Sequence, residues 1–203
     1  MLKPSRRKRE EITLIAVSKT HPAERITPLL DIGHRVFGEN RVQEAQGKWP
    51  ELIERYPDAK LHGIGQLQSN KAEDAVALFD CIHALDRPSL LKALAKAKDK
   101  QGKQVPCFML VNFGDEEQKG GCPIKELPDF LTKVRATPVP IAGLMCLPPA
   151  DIEPAPFFAF LAKLAADNGL EGLSMGMSGD YPTAVQLGAT HIRVGTALFG
   201  ARG

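Results

Sequence analysis

Hydrophobic and polar positions follow two alternating patterns along this chain, from residue 14 to the C-terminal end. Short apolar runs bounded by glycine, proline or polar clusters are typical of buried strands. They predict eight strands, over residues 14–19, 35–39, 60–65, 81–86, 105–113, 140–147, 170–178 and 191–199. Between these runs, apolar residues recur at helical spacing. This spacing predicts helices over residues 22–32, 41–55, 70–78, 89–100, 124–135, 155–168 and 181–187.

The regular alternation of strands and helices within 203 residues indicates an α/β fold built on a parallel sheet. Eight strands favour a (β/α)8 barrel of the TIM type, because an open doubly wound sheet usually contains fewer strands. We predict a single domain over residues 1–203, in which residues 1–13 form a short N-terminal tail.

Composition narrows the possible functions. The chain is 43% hydrophobic and 25% charged, which is ordinary for a globular protein that folds in water. A net charge of +2 argues against a nucleic-acid partner, and no apolar stretch is long enough to span a membrane. The four cysteines include no C-x-x-C pair and lie mostly in apolar runs. They predict buried, reduced thiols in a cytoplasmic protein and argue against a zinc or disulfide scaffold.

Lys19 is the first candidate for chemistry, because it ends the apolar run of the first predicted strand. In a barrel, the carboxyl ends of the strands form the functional mouth. An amine held there among apolar neighbours has a lowered pKa, as Schiff-base chemistry requires. The alternative is a solvated lysine at a strand terminus.

The ends of the other predicted strands should meet Lys19 at the same mouth. Most of them carry polar or small residues. These strand-end residues are Glu39, Asn40, Gly65, Gln66, Asp86, Asn112, Met145, Ser178, Gly179, Gly195 and Thr196.

Two segments near the C-terminal end form a candidate phosphate site. Met177, Ser178 and Gly179 lead into a predicted helix, where backbone N–H groups and a hydroxyl are placed to hold an anion. Gly195 and Thr196 supply a second backbone approach and another hydroxyl. The alternatives are helix capping by the serine and a tight bend at the second glycine. A lysine opposite such a site suits an aldehyde-bearing phosphorylated cofactor, pyridoxal 5′-phosphate (PLP), better than a free sugar phosphate.

Seven motifs together resemble the pyridoxal phosphate homeostasis proteins, the YggS/PROSC family, and they occur in that family's order. The resemblance runs from about residue 14 to the C-terminal end. The motifs are A-V-S-K-T (16–20), F-G-E-N-R-V-Q-E (37–44), H-G-I-G-Q-L-Q-S-N-K (62–71), V-N-F-G-D-E-E-Q-K-G-G (111–121), G-L-M-C-L-P (143–148), L-S-M-G-M-S-G-D (173–180) and R-V-G-T-A-L-F-G-A-R (193–202).

The resemblance implies a barrel like the N-terminal domain of alanine racemase, with PLP bound as an aldimine on Lys19. It places Asn40 beside the cofactor and Arg193 at the pyridine nitrogen. It assigns the phosphate to Ser178 and Thr196 with the neighbouring amides of the 177–179 and 195–196 segments. The implied function is vitamin B6 homeostasis, in which a monomer binds, buffers and delivers PLP to apo PLP-dependent enzymes without catalysis of its own.

Two other functions remain open at this point. The same barrel could be a PLP-dependent amino-acid racemase or decarboxylase, or a class I aldolase-like enzyme that uses Lys19 without a cofactor. Racemases of this fold take a second base, a tyrosine, from an additional β domain and a partner subunit. The tyrosines of this chain are Tyr56, in a predicted outer helix, and Tyr181, after the phosphate loop. The carrier function is therefore favoured.

The chain departs from the family pattern before the first strand. The family ordinarily carries a long helix there, whereas only residues 1–13 stand in this position. We therefore expect the groove between strands eight and one to lack a covering helix. The outer-face residues there, which should then be partly exposed, are Leu14, Ala16, Ile192 and Val194.

Three further features bear on the site. Leu61 and Gly63 replace the family's usual aromatic pair around His62, which predicts open space over that part of the pocket. His62 itself is expected to be a packed, hydrogen-bonded histidine, with proton transfer as the alternative. The charged loop over residues 114–121 is a candidate lid or partner surface.

Overall fold

The computed structural model describes residues 7–114, 120–149 and 151–200. Its strands are short and regularly spaced along the chain. They are β1 (Thr13–Val17), β2 (Val36–Glu39), β3 (Lys60–Gly63), β4 (Cys81–Leu85), β5 (Cys107–Asn112), β6 (Cys122–Pro123), β7 (Ile141–Cys146), β8 (Gly172–Met177) and β9 (His191–Val194).

Helices connect the successive strands of the described residues, except that no helix separates β5 from β6. They are α1 (Ala23–Asp31), α2 (Val42–Gln46), α3 (Trp49–Arg55), α4 (Ala72–Leu78), α5 (Pro88–Gln101), α6 (Leu127–Arg135), α7 (Ala155–Asp167), α8 (Tyr181–Gln186) and α9 (Thr196–Phe199). Short 3₁₀ turns occur at Arg9–Glu11, Ser69–Lys71 and Ile124–Glu126. None of the helices in the described ranges is long and apolar enough to cross a membrane.

Eight of the strands form a closed parallel barrel. The order is β4-β3-β2-β1-β9-β8-β7-β5, and β4 pairs with β5 to complete the ring. The two-residue strand β6 pairs with the end of β5 outside this ring. The predicted (β/α)8 barrel is therefore confirmed. That the chain is one domain with residues 1–13 as a tail stays a prediction.

The barrel strands are buried on both faces, and the two faces differ in chemistry. Outward-facing residues pack against the helices, as where Phe37 of β2 meets Trp49 of α3 with ring centroids 5.1 Å apart. The inner face combines an apolar cluster that contains Phe108 with buried polar residues. The polar residues inside are His62, His83, Ser174 and Arg193.

The helix predicted over residues 41–55 is two helices in the structure. α2 ends at Gln46 and α3 begins at Trp49, with Lys48 in a non-helical conformation between them. Pro50 lies in the first turn of α3, where it has no N–H to donate back to the preceding helix. The break leaves the Lys48 side chain free to turn back toward the end of β1.

The strand predicted over residues 191–199 ends at Val194, and the remainder is helix α9. The backbone turns at Gly195, where Ser178 Oγ accepts hydrogen bonds from the N–H groups of Gly195 and Ala197. Phe199 is buried, and Arg25 of α1 donates a hydrogen bond to its carbonyl oxygen.

This short helix corrects the expectation of an exposed groove between the first and last barrel strands. Ala16, Ile192 and Val194 are buried in the main core, and Leu14 is half-buried and packs against it. Near this groove, Arg25 of α1 donates to the Phe199 carbonyl oxygen of α9, and Arg7 donates to the carbonyl oxygen of Ala189.

Two further expectations have definite outcomes. The space predicted beside Gly63 is absent, because a Cβ there would lie 2.7 Å from the Phe79 ring. Phe79 thus fills the volume that a larger residue at position 63 would occupy. Of the predicted lid over residues 114–121, residues 115–119 lie outside the described ranges.

Candidate functional site

A cavity of about 460 Å³ opens at the carboxyl-end mouth of the barrel. This volume lies within the ~300–1,000 Å³ typical of small-molecule sites. All eight residues predicted for the cofactor site line it. They are Lys19, Asn40, Met177, Ser178, Gly179, Arg193, Gly195 and Thr196. Their assignment to particular parts of a cofactor stays a prediction.

The turn that carries Lys19 is held by hydrogen bonds from the next barrel strand. Ser18 donates its backbone N–H to the carbonyl oxygen of Gly38 and its hydroxyl to Glu39 Oε1, at 2.6 Å. Glu39 is fully buried, and the same oxygen also accepts a hydrogen bond from Trp49 Nε1 at 3.0 Å. The residue before Lys19 is therefore fixed to β2 and, through the indole, to α3.

Glu39, Glu44 and Lys48, which we call the Lys48 cluster, complete this support. The Lys48 ammonium lies 2.8 Å from Glu39 Oε1 and 3.0 Å from Glu44 Oε1. It also donates to the carbonyl oxygens of Ser18 and His21, at 2.9 and 3.0 Å. These two carbonyls flank Lys19 on either side, so one partly buried cation holds both ends of its turn.

The backbone within this turn is strained. Thr20 has a φ of +65°, and among the described residues it is the non-glycine residue with a positive φ. A threonine reaches this region at a cost of about 1–3 kcal/mol, so surrounding contacts must hold it. One such contact is the hydrogen bond that its backbone N–H donates to Glu44 of the Lys48 cluster.

The loop after β8 and the turn after β9 meet at the opposite side of the cavity. Asp180 shapes the first of these by accepting the backbone N–H of Met177 and donating its own N–H to the Met177 carbonyl. Ser178 Oγ accepts the N–H groups of Gly195 and Ala197, at 3.2 and 3.4 Å. Ser178 thus joins the two loops, which differs from the alternative in which it caps α8.

Arg193 is a buried cation at the floor of the cavity. Its guanidinium donates to Ser174 Oγ at 2.6 Å and to the carbonyl oxygen of Cys146 at 3.0 Å. Within the described ranges, none of its hydrogen bonds or ion pairs is to a carboxylate. Burial lowers the pKa of Arg193 to about 10, although the charge of Asp180 acts in the opposite direction, so Arg193 remains charged at neutral pH.

The other predicted strand-end residues divide between a second cavity and the barrel wall. A cavity of about 290 Å³ adjoins the first, shares Asn40 with it, and is lined by Gly65, Gln66 and Asn112. Glu39 lies outside both cavities because its side chain points toward the helices. Asp86 likewise lines neither cavity and pairs with Arg87 at 2.6 Å.

Two residues that shape the site, His21 and Lys48, are not among the predicted site residues. His21 lines the main cavity, and its ring stacks on Phe199 with centroids 4.8 Å apart. The sequence pattern predicts Lys48 only as part of the helix over residues 41–55. The spacing of four residues between Glu44 and Lys48 is a local pattern that could have predicted their ion pair on a helix. The contacts of Lys48 with Ser18 and Glu39 join separate segments of the chain, so no local pattern predicts them.

His62 is packed and hydrogen-bonded, as predicted, and lies away from the main cavity. Its Nδ1 is 3.0 Å from His83 Nε2 inside the barrel, and its ring borders a separate cavity at the amino-end mouth. Burial lowers the pKa of His62 to about 4. It is therefore neutral at physiological pH and is too distant in the fold to serve the main cavity as a base.

Comparisons with known proteins give a consistent result. The model of the family described as "Alanine racemase, N-terminal domain" matches residues 4–203. The pyridoxal phosphate homeostasis protein of Deinococcus radiodurans is 41% identical over 191 residues, covering 93% of this chain and 88% of that protein. The protein of the same name from Pseudomonas aeruginosa is 38% identical over 197 residues, covering 94% and 85%.

A solved structure extends the similarity to three dimensions. PipY of Synechococcus elongatus PCC7942, determined with PLP bound, is 39% identical to this chain with a TM-score of 0.90. The match covers 96% of this chain and 95% of that structure. The described barrel thus has the same architecture as a protein that holds PLP.

We predict that Lys48→Met lowers the free energy of unfolding by about 3 kcal/mol, because it leaves the buried Glu39 carboxylate without its cation. Urea unfolding monitored by circular dichroism measures the change. Lys100→Met is the matched control, because Lys100 forms a 2.8 Å pair with Glu73 that is exposed to solvent. Its loss should cost less than about 1 kcal/mol. Equal effects of the two substitutions would contradict a supporting role for the Lys48 cluster.

Proposed function

This chain belongs to the family of pyridoxal phosphate homeostasis proteins, and we propose that it binds PLP covalently through Lys19 and serves vitamin B6 homeostasis without catalysis of its own. The observation that carries the proposal is the convergence of an amine, a buried arginine and two hydroxyl-bearing loops on one cavity. Each of these groups matches a different part of PLP.

The phosphate of PLP fits the two loops opposite Lys19. The N–H groups of Gly195 and Ala197 both donate to Ser178 Oγ, which orients this hydroxyl so that its own proton can be donated to a phosphate oxygen. Thr196 brings a second hydroxyl to the same side of the cavity. Charge-assisted hydrogen bonds from such donors are the usual means of binding a phosphate.

The pyridine nitrogen of PLP fits Arg193. The guanidinium is a donor that keeps its protons, so a pyridine nitrogen facing it accepts a hydrogen bond and stays unprotonated. An unprotonated ring withdraws electrons less strongly than one paired with a carboxylate. Among the described residues, the hydrogen-bond acceptors of Arg193 are a hydroxyl and a carbonyl oxygen, so no carboxylate is hydrogen-bonded to it.

The aldehyde of PLP supplies the electrophile that Lys19 requires. The ε-amine of Lys19 adds to the aldehyde carbon, a C=N bond forms, and one water molecule is released, which gives a Schiff base. Because this reaction is reversible, the bond retains the cofactor and still permits its release. Asn40, which lines the cavity beside Lys19, is the side-chain amide that we assign to the cofactor ring.

Reversible binding of this kind suits a buffer that holds PLP and delivers it to apo PLP-dependent enzymes. We propose that the protein does so as a cytoplasmic monomer of one domain. The racemase and decarboxylase alternative needs a second acid–base group at the cavity. Neither tyrosine lines it: Tyr56 bonds to Asp31 on the outer helices, and Tyr181 begins α8.

We predict that Lys19→Ala abolishes the absorption band of the PLP Schiff base, while the phosphate-binding loops retain weak, non-covalent binding. Borohydride reduction of the wild-type protein followed by peptide mapping should place the pyridoxyl group on Lys19. Lys60→Ala, at the amino-end mouth of the barrel, should keep the band. Labelling of another lysine in the wild type would refute the assignment.

We predict that Ser178→Ala and Thr196→Val each weaken PLP affinity roughly tenfold or more, because a charge-assisted hydrogen bond contributes about 1.5–3 kcal/mol. Fluorescence titration of the cofactor-free protein with PLP measures the dissociation constants. Thr132→Val is a control, since its hydroxyl bonds to a carbonyl oxygen within α6. Unchanged affinity in both cavity variants would place the phosphate elsewhere.

We predict that the PLP-loaded protein neither racemises nor decarboxylates amino acids, because neither of its tyrosines, the second base of racemases of this fold, lines the cavity. Chiral chromatography and release of carbon dioxide measure the two reactions. If the wild type turns over an amino acid and Lys19→Ala does not, the protein is an enzyme on this barrel and the carrier function is wrong.

A further inference from the structure

A cluster of potential metal ligands lies inside the barrel near its amino-end mouth, opposite the cavity that contains Lys19. It consists of His62, Cys81 and His83, which we call the His–Cys–His cluster. One ligand atom from each of the three residues lies within 4.8 Å of the other two. All three residues are buried, and the function proposed above uses none of them.

Strand register explains why the three side chains meet. His62 of β3 is the direct cross-strand partner of Cys81 of β4. Cys81 and His83 are two residues apart on β4, so their side chains point to the same face of the sheet. A pair on one strand and a partner on its neighbour therefore form a compact triangle of two imidazoles and one thiol.

The two imidazoles already face each other with nitrogen atoms at close range. His62 Nδ1 lies 3.0 Å from His83 Nε2, and the other nitrogen of His83, Nδ1, lies 2.8 Å from Ser174 Oγ. In metal sites, a hydrogen bond to the second ring nitrogen typically orients the ligating histidine. Ser174 is placed to do this for His83.

We propose that the His–Cys–His cluster is a metal site that binds one Zn²⁺ or a similar borderline divalent ion. The ion replaces the proton shared by His62 and His83 and adds the thiolate of Cys81 as the third ligand. Imidazole nitrogen and thiolate sulfur are both zinc ligands, and three protein ligands with a water in the fourth position are typical of an open zinc site. Tetrahedral Zn–N bonds of about 2.0–2.1 Å require ligating nitrogens roughly 3.3 Å apart, so the two rings need to separate only slightly.

The protonation states are compatible with this proposal. Burial lowers the pKa of His62 to about 4 and lowers that of His83 well below its usual value, so both imidazoles are neutral at physiological pH. With the metal bound to His62 Nδ1 and His83 Nε2, each neutral ring keeps one proton on its other nitrogen, so His62 carries it on Nε2 and His83 carries it on Nδ1, where Ser174 Oγ accepts it. Burial raises the pKa of the Cys81 thiol, so its proton is released to solvent when the metal binds.

The separate cavity at the amino-end mouth, which His62 borders, provides access to the cluster. It has a volume of about 420 Å³, opens at the amino-end mouth, and is bordered by His62 and Cys81 together with Lys60, Asp80 and His191. The cavity leaves room for a water molecule as a fourth ligand. A metal here would join β3 to β4 at the end of the barrel that in this architecture usually serves stability.

The test is a titration of the tag-free, PLP-loaded full chain with Co²⁺, followed by displacement with Zn²⁺. We expect one Co²⁺ per chain, a thiolate-to-cobalt charge-transfer band, and the visible bands of a tetrahedral ion. Cys81→Ala should remove the charge-transfer band. It should also weaken Zn²⁺ binding more than about tenfold, because losing a ligand costs more than losing a residue that only hydrogen-bonds to a ligand, which costs about 10–100-fold in metal affinity. Zn²⁺ should raise the Tm of the wild type and leave that of Cys81→Ala unchanged.

Cys122→Ala is the matched control, because Cys122 is also a buried free thiol but pairs with the opposite end of the barrel through β6. It should bind cobalt as the wild type does. If Cys81→Ala fails to fold, His62→Gln provides the second variant and should also weaken binding. The absence of a thiolate band in the wild type, or equal binding by Cys81→Ala and Cys122→Ala, would overturn the proposal.

Discussion

Closure of the parallel barrel is the constraint on which the arrangement of this protein depends. β1 pairs with β9, so that the first and last barrel strands become neighbours, and the pairing of β4 with β5 completes the ring. Because every barrel strand runs in the same direction, all carboxyl ends meet at one mouth. Lys19, at the start of the chain, and Thr196, near its end, line the same cavity for this reason.

Glu39 and Arg193 are two buried charges whose surroundings differ. Glu39 has a structural role, whereas Arg193 faces the proposed cofactor site. Glu39 is compensated by Lys48 and by hydrogen bonds from Ser18 and Trp49, so its charge serves to hold the Lys19 turn. Arg193 donates hydrogen bonds to neutral oxygens among the described residues, and Asp180 acts on it through its charge. Under the proposed function, Arg193 donates to the pyridine nitrogen of PLP and so serves to bind the cofactor.

The interior of the barrel links its two mouths through hydrogen bonds. Arg193 can only donate, so Ser174 Oγ accepts from it and has its own proton available for His83 Nδ1. His83 in turn meets His62 near the amino-end mouth. A continuous polar column therefore runs from the floor of the proposed PLP cavity to the His–Cys–His cluster. It explains how four polar side chains are buried in the barrel with hydrogen-bond partners.

The sequence by itself determined the eight barrel strands, the connecting helices and the residues that line the main cavity. It could do so because hydrophobic periodicity is a local property and because parallel strands bring their ends together in any closed barrel. The tertiary structure alone decided which side chains meet across strands. Lys48 reaches Ser18 only because the predicted long helix breaks beside Gly47, and Phe199 covers the groove only because the chain turns at Gly195. His62 meets Cys81 through the register of β3 with β4. Such contacts join residues that are distant in the chain, and their energies are set by burial and geometry, which no local pattern records.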